Sequence, residues 1–207
     1  MTSLDPVTLA VLQGRLEQLV DEMDATLFRS AFNPIIAEAH DASHGIYDRT
    51  TGATVAQGAS GLPVFVGSMS GAVSLIIDRT AKEGGPREGD IWIFNDPYRG
   101  GTHLNDMKLV QPFFHDGELF CWLASVGHYT DVGGAVPGNY NPSAIESAQE
   151  GGLIPPIRLV DGGELRSDIV DLVCAISRVP TNAYGDLFGQ LNALKLGVSR
   201  LTDLLDE

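Results

Sequence analysis

Two short units in this 207-residue sequence carry side chains of the kind that hold metals and move protons. His103 stands three residues before Asp106, and His128 stands three residues before Asp131. Both H-x-x-D units lie in glycine-rich stretches beside apolar, strand-like runs, so two imidazoles and two carboxylates converge if neighbouring strands bring their ends together. Imidazole with carboxylate is a borderline-hard ligand set suited to Mn²⁺, Fe²⁺ or Zn²⁺, and three such ligands leave coordination positions open for substrate or water. The same short pattern also suits an ordinary turn in which the aspartate bonds the backbone. Gly100-Gly101 and Gly133-Gly134 favour a ligand, because paired glycines permit close backbone approach and can turn N–H groups toward an anion.

The surrounding region, 95–151, collects further polar candidates. Asp106 and Glu150 are its candidate catalytic carboxylates, although Glu150 also suits the end of a short helix. Asp96 fits a turn before Pro97. His40, Asp41 and His44 form a second cluster, expected in a loop lining the same cleft, and His115 is expected in a solvated hairpin turn. The sequence holds no G-x-S-x-G nucleophile elbow and no G-x-x-x-x-G-K-[ST] phosphate loop.

Helices and strands must position these groups. Asp5-Pro6 has the chemistry of a helix start, and Leu9, Leu12, Leu16, Leu19, Val20, Met23 and Leu27 recur at helical spacing, so a long amphipathic helix is expected over 6–31. A hairpin follows from His44 to Gln57 around Gly52, then a helix over 67–83. DIWIFN, MKLVQPFF and LFCWLASV read as three strands in a meander, the last two joined at His115-Asp116-Gly117. Asn141-Pro142 is expected to open a short helix to Gln149. A strand near IRLV, a helix in SDIVDLVCAISR and a last helix over 182–205 complete the chain. Sequential strands with helices outside them make this an α+β fold with a mixed or antiparallel sheet, read as one domain over 1–207.

Composition narrows the function. With 43% apolar and 19% charged residues the chain can bury a core, and Lys and Arg number 13 against 27 Asp and Glu, a net charge of −14. That balance argues against nucleic acid as a partner, because phosphate neutralisation needs clustered Lys and Arg. Cys121 and Cys174 each sit in an apolar run, the place of a buried thiol in a reducing compartment. MTSLDPVTLA has neither the basic nor the apolar region of a signal peptide, and no apolar run approaches a membrane span. A cytoplasmic protein with no membrane association is therefore expected.

The series NDPYRGGTHLND, GHYTDVGGAVPG and QEGGLIPP, preceded by HGIYD and GLPVFVGSM, resembles the hydantoinase B/oxoprolinase family. That family includes B subunits of N-methylhydantoinase, the carboxyl-side half of 5-oxoprolinase, and subunits of acetone and acetophenone carboxylases. The resemblance runs from DPVTLAVLQGRL to the last helix, and it covers only the N-terminal part of the longer family subunits. The family's H-L-P-D stands here as His103-Leu104-Asn105-Asp106, and Phe65 occupies a place where histidine is common.

The resemblance implies an ATP-dependent hetero-oligomer in which a hydantoinase A-type partner uses ATP to phosphorylate a small-molecule substrate. The B-type subunit then completes hydrolysis of a cyclic amide or, in the carboxylase branch, joins a ketone-derived enolate to CO₂. By motif position it implies a divalent metal (Mn, Zn or Fe) on His103, His128 and Asp131, with Asp106 as a fourth ligand or as a partner that orients an imidazole. Two other readings compete: a shortened non-catalytic assembly module, and an iron oxygenase with two histidines and one carboxylate.

Overall fold

The computed structural model describes residues 5–207. Helix α1 (Pro6–Ser30) begins as its cap chemistry dictates: Asp5 Oδ1 accepts hydrogen bonds from the N–H groups of Val7 and Thr8 at 3.0 and 3.1 Å. A single turn, α2 (Pro34–Ala37), starts at Asn33 by the same device. Strands β1 (Ala42–Asp48) and β2 (Thr54–Gln57) form the first hairpin, and α3 (Val64–Lys82) follows. Then come β3 (Ile91–Phe94), β4 (Asp106–His115), β5 (Glu118–His128), β6 (Ile157–Asp161), β7 (Glu164–Leu165), α4 (Ser167–Ala175) and α5 (Pro180–Asp206). The fold is α+β, as expected.

The seven strands make one sheet in the order β2-β1-β5-β4-β3-β6-β7, and every neighbouring pair is antiparallel. Helices cover both faces, which is why the central strands read as continuous apolar runs without polar alternation. One face buries Ile46, Ile93, Leu109 and Leu123 with α1, α4 and α5. The other buries Tyr47, Trp92, Phe94, Val110 and Trp122 with α3. At ~1.5–3 kcal/mol for each large side chain removed from water, these two layers dominate the folding energy.

Three expectations are corrected. The segment 141–149 is no helix: it carries only a 3₁₀ turn, Ser147–Gln149, after an Asx turn in which Asn141 Oδ1 accepts from Ser143 N. Its one large apolar side chain, Ile145, is 92% exposed, so no buried stripe holds a helix there. His44 lies inside β1, fully buried against Asp24 of α1 and outside any loop. His115 is the partly buried last residue of β4, and the turn itself is Asp116-Gly117, both at positive φ. Among the described residues, no helix is long and apolar enough to cross a membrane.

Candidate functional site

Strand register assembles the site. Asp106, the first residue of β4, lies directly opposite His128, the last residue of β5, and both side chains point to the α3 face of the sheet. The loop after β3 folds back so that His103 joins them. Asn95 secures that loop, its Nδ2 donating to the carbonyls of Leu104 and Gly152 and its Oδ1 accepting from Ile154 N. Gly100 is required in the same loop: at φ +77° it lies against α3 so closely that a Cβ would come 2.7 Å from Ala72 N.

The Asp106 carboxylate is fully buried and gathers four donors. Oδ1 accepts from His128 Nδ1 at 2.7 Å. Oδ2 accepts from His103 N at 2.9 Å, from His103 Nδ1 at 3.0 Å and from the Thr102 hydroxyl. Burial alone would raise the pKa of Asp106, but the hydrogen bonds from His128 and Thr102 outweigh it and hold the group well below the usual carboxylate range. An ionised carboxylate only accepts, so both Nδ1 atoms carry the protons and both Nε2 atoms are left with lone pairs in the neutral rings. One carboxylate thus sets the tautomer of two imidazoles. Burial opposes a charge on His128, yet its bond to Asp106 dominates and its pKa is raised.

His103, Asp106 and His128 each offer a ligand atom within 4.8 Å of the others. Asp41, immediately before β1, stands beside them with Oδ2 3.9 Å from His128 Nδ1. Burial raises its pKa, and the charges of His128, Asp106 and His103 all bear on it. This carboxylate has no hydrogen bond from any described residue. Lys108, fully buried on the same face, donates to the carbonyl of Asp106 at 3.2 Å, and burial lowers its pKa to about 8.

The other expected residues are placed elsewhere. Asp131 does not join the cluster: Oδ1 accepts from Gly133 N and Arg178 N, and Oδ2 from Gly138 N and the Arg178 guanidinium at 3.1 Å. Burial works against its ionisation, but these bonds lower its pKa. Asp131 and Arg178 thereby shape the glycine loop 131–138. Glu150 is exposed and lines the cleft together with both histidines. Asp96 makes the expected Asx turn to Tyr98 N. Of the second cluster, Asp41 reaches the site, His40 stacks on Phe28, and His44 is sealed in the core.

The cleft has a volume of about 770 Å³ and is walled by the loops 97–105 and 138–142, with Tyr98 and Tyr140 standing at its rim. Asn139, at φ 65°, joins its walls: Oδ1 accepts from Asn105 Nδ2 and Val132 N, while Nδ2 donates to the carbonyls of Gly133 and Glu150. The sequence reading assigns no role to Asn95, Asn105, Asn139 or Thr102. Only the asparagine before a run of turn residues gives a local signal, since Asn tolerates the left-handed region.

Comparison with known proteins gives a consistent result. The family model described as Hydantoinase B/oxoprolinase matches residues 5–207. The caprolactamase subunit beta of Pseudomonas jessenii is 36% identical over all of this chain, and the chain spans 35% of that relative's length. The crystal structure of the ATP-dependent caprolactamase from that organism superposes with a TM-score of 0.87 over 99% of this chain and 35% of its own. The 5-oxoprolinase of Dictyostelium discoideum is 29% identical over 99% of this chain and 16% of its own length. Acetone carboxylase shares the fold, with a TM-score of 0.90 at 21% identity over 98% of this chain and 26% of that one.

Proposed function

The chain belongs to the hydantoinase B/oxoprolinase family, and on that premise we propose that it forms the metal-binding part of a B-type subunit that hydrolyses cyclic amides with an ATP-using partner. The observation that carries this reading is the shared carboxylate: Asp106 accepts both Nδ1 protons and turns two Nε2 lone pairs outward beside an open cleft. A carboxylate behind a ligating histidine is the usual outer support of a metal site.

In this reading His103 and His128 hold a divalent ion, Mn, Zn or Fe, and Asp106 orients them. Asp131, committed to Arg178, takes no part, and Asp41 stands on the Nδ1 side of His128, where its charge supports the Asp106–His128 pair. When bound, the ion supplies Lewis-acid polarisation of a substrate oxygen or activates a water. Glu150, an exposed carboxylate on the cleft wall, would serve as the group that gives a proton to the departing amide nitrogen. The cleft receives the small-molecule substrate after a hydantoinase A-type partner has phosphorylated it with ATP. Identity to a caprolactamase subunit at 36% supports cleavage of an amide C–N bond over ketone carboxylation.

The test is elemental analysis and calorimetric titration of the purified chain with Mn²⁺, Zn²⁺ and Fe²⁺, beside the His103→Ala, His128→Ala double variant. Near-stoichiometric metal that is lost in the variant is expected. Equal metal in both proteins, or none in a folded wild type, overturns the metal reading. ATP-dependent opening of caprolactam or hydantoin by the chain with an A-type partner then tests the reaction.

A further inference from the structure

The buried stripe of α5 carries two polar side chains one turn apart, Asp186 and Gln190, both fully buried. Such groups are costly unless bonded, so what they bond to is informative. Gln190 Nε2 donates to the carbonyl of Met107 at 3.1 Å and to Ser125 Oγ at 3.0 Å, while its Oε1 accepts from the Tyr129 hydroxyl at 3.0 Å. Met107 follows Asp106, and Tyr129 follows His128. One amide therefore grips the residues next to both members of the Asp106–His128 pair.

Asp186 works in the same direction one step removed. Its Oδ1 accepts from Phe32 N and Asn33 N, and Asn33 Nδ2 donates to the carbonyl of His128 at 2.7 Å. Between the strands, Asn105 and Tyr129 tie the same ends directly, Tyr129 N donating to the carbonyl of Asn105 and Asn105 Nδ2 to that of Tyr129, both at 2.8 Å, so Gln190 adds a brace from the α5 face. Behind Gln190, Ser125 faces His44 Nε2 at 3.0 Å, and His44 Nδ1 faces Asp24 at 2.8 Å. The order is that of a nucleophilic triad, but all three side chains are fully buried, so the hydroxyl meets no substrate and the row acts as a brace.

We propose that Gln190 is a positioning residue for the candidate metal site: its amide braces, from the α5 face, the two strand ends that hold Asp106 and His128. The proposal rests on the metal reading above for its consequence, because a ligand set must be held to within ~0.5 Å to work. The experiment compares the wild-type chain with Gln190→Leu, which removes all three bonds, and Ser125→Ala, which leaves the links to Met107 and Tyr129 in place. Two readouts are taken. Titration with Mn²⁺ and Co²⁺ follows affinity and the cobalt d–d spectrum, and the imidazole N–H resonance of His128 follows its bond to Asp106 in the metal-free chain.

Gln190→Leu is expected to bind metal about ten- to a hundredfold more weakly, with an altered cobalt spectrum and a shifted or lost imidazole resonance, as for other supports behind a ligand. Ser125→Ala is expected to match the wild type in all of these. A folded Gln190→Leu chain with wild-type affinity, spectrum and resonance overturns the proposal. If Gln190→Leu fails to fold, Tyr129→Phe removes one link only, and wild-type behaviour there in both readouts overturns it equally. A wild type that binds no metal sinks the metal reading, and the metal-free resonance still decides the positioning role.

Discussion

Replacing Asp106 with asparagine tests the centre of the site, because it keeps the shape and removes the charge on which four donors converge. Asparagine retains one acceptor oxygen, but its amide nitrogen must face either His128 Nδ1 or the donors from Thr102 and His103. Removing one partner of a buried ion pair costs ~3–5 kcal/mol, and the retained acceptor places the expected loss near ~3. For a chain of this size that lowers the melting midpoint by roughly 6–12 °C. Urea unfolding of the metal-free chain reads the same loss as a shifted midpoint at constant slope.

The pH dependence identifies the cause. The depressed pKa of Asp106 contributes stability that is present above its unfolded value of ~3.9 and lost as pH falls through the folded one. The raised pKa of His128 contributes stability that is complete below its unfolded value of ~6.5 and lost as pH rises through the folded one. The gap between wild type and Asp106→Asn is therefore widest between the unfolded values of ~3.9 and ~6.5 and narrows as pH rises through the raised pKa of His128. A loss under ~1 kcal/mol, the scale of exposed pairs, or a gap that does not change with pH, refutes the assignment of Asp106 as the shared acceptor of two imidazoles.

Three further outcomes follow from the same geometry. Gly100→Ala sets a Cβ 2.7 Å from Ala72 N at a φ of +77°, so a loss of at least ~1–3 kcal/mol is expected in urea titration, with weaker metal binding because His103 shares that loop. Arg178→Ala releases Asp131 and the carbonyls of Gly133, Gly134 and Val136, and faster amide exchange confined to 131–138 is expected by mass spectrometry. Burial pushes the Cys121 thiol up to about 12, so a disulfide reagent at neutral pH is expected to label Cys174 first and Cys121 only on unfolding.

Much of this arrangement is legible in the sequence. The long α1, α3 and α5 and the β3-β4-β5 meander follow from apolar periodicity and the Asp116-Gly117 turn, because each is set by neighbours close in the chain. His103, Asp106 and His128 come together because a meander places the start of one strand opposite the end of the next. What is not legible depends on distant partners. Asp131 repeats the spacing of Asp106, yet an arginine 47 residues later takes it out of the cluster. His44 reads as a loop residue until Asp24, 20 residues earlier on helix α1, turns it into a core pair. Asp41, named in the His40-Asp41-His44 cluster as a residue lining the cleft, does reach His128, but the β1–β5 pairing that brings it there is not visible in the motif.

The contrast between the two H-x-x-D units is the ground on which we propose metal chemistry here over a simple acid–base pair. In the first, the carboxylate lies beneath the imidazole and is sealed from water, so it cannot act on a substrate; its effect is to fix a proton on Nδ1 and present Nε2. In the second, the aspartate is drawn away to shape a loop, and the histidine is oriented by the first unit's carboxylate instead. The result is two imidazoles, their rings inclined at 75°, both held at Nδ1 by one carboxylate, with Asp41 on the Nδ1 side of His128. A general acid–base site needs one proton placed between two groups of matched affinity, whereas here the buried charge of Asp106 supports whatever positive species sits on the far side of both rings. A proton or a divalent ion can occupy that place, and the two compete. Metal affinity is accordingly expected to fall as pH drops below the raised pKa of His128, and in Asp106→Asn to weaken at every pH while losing that steepness. Affinity that is flat across this range would mean that the metal, where it binds, does not use the His128 ring.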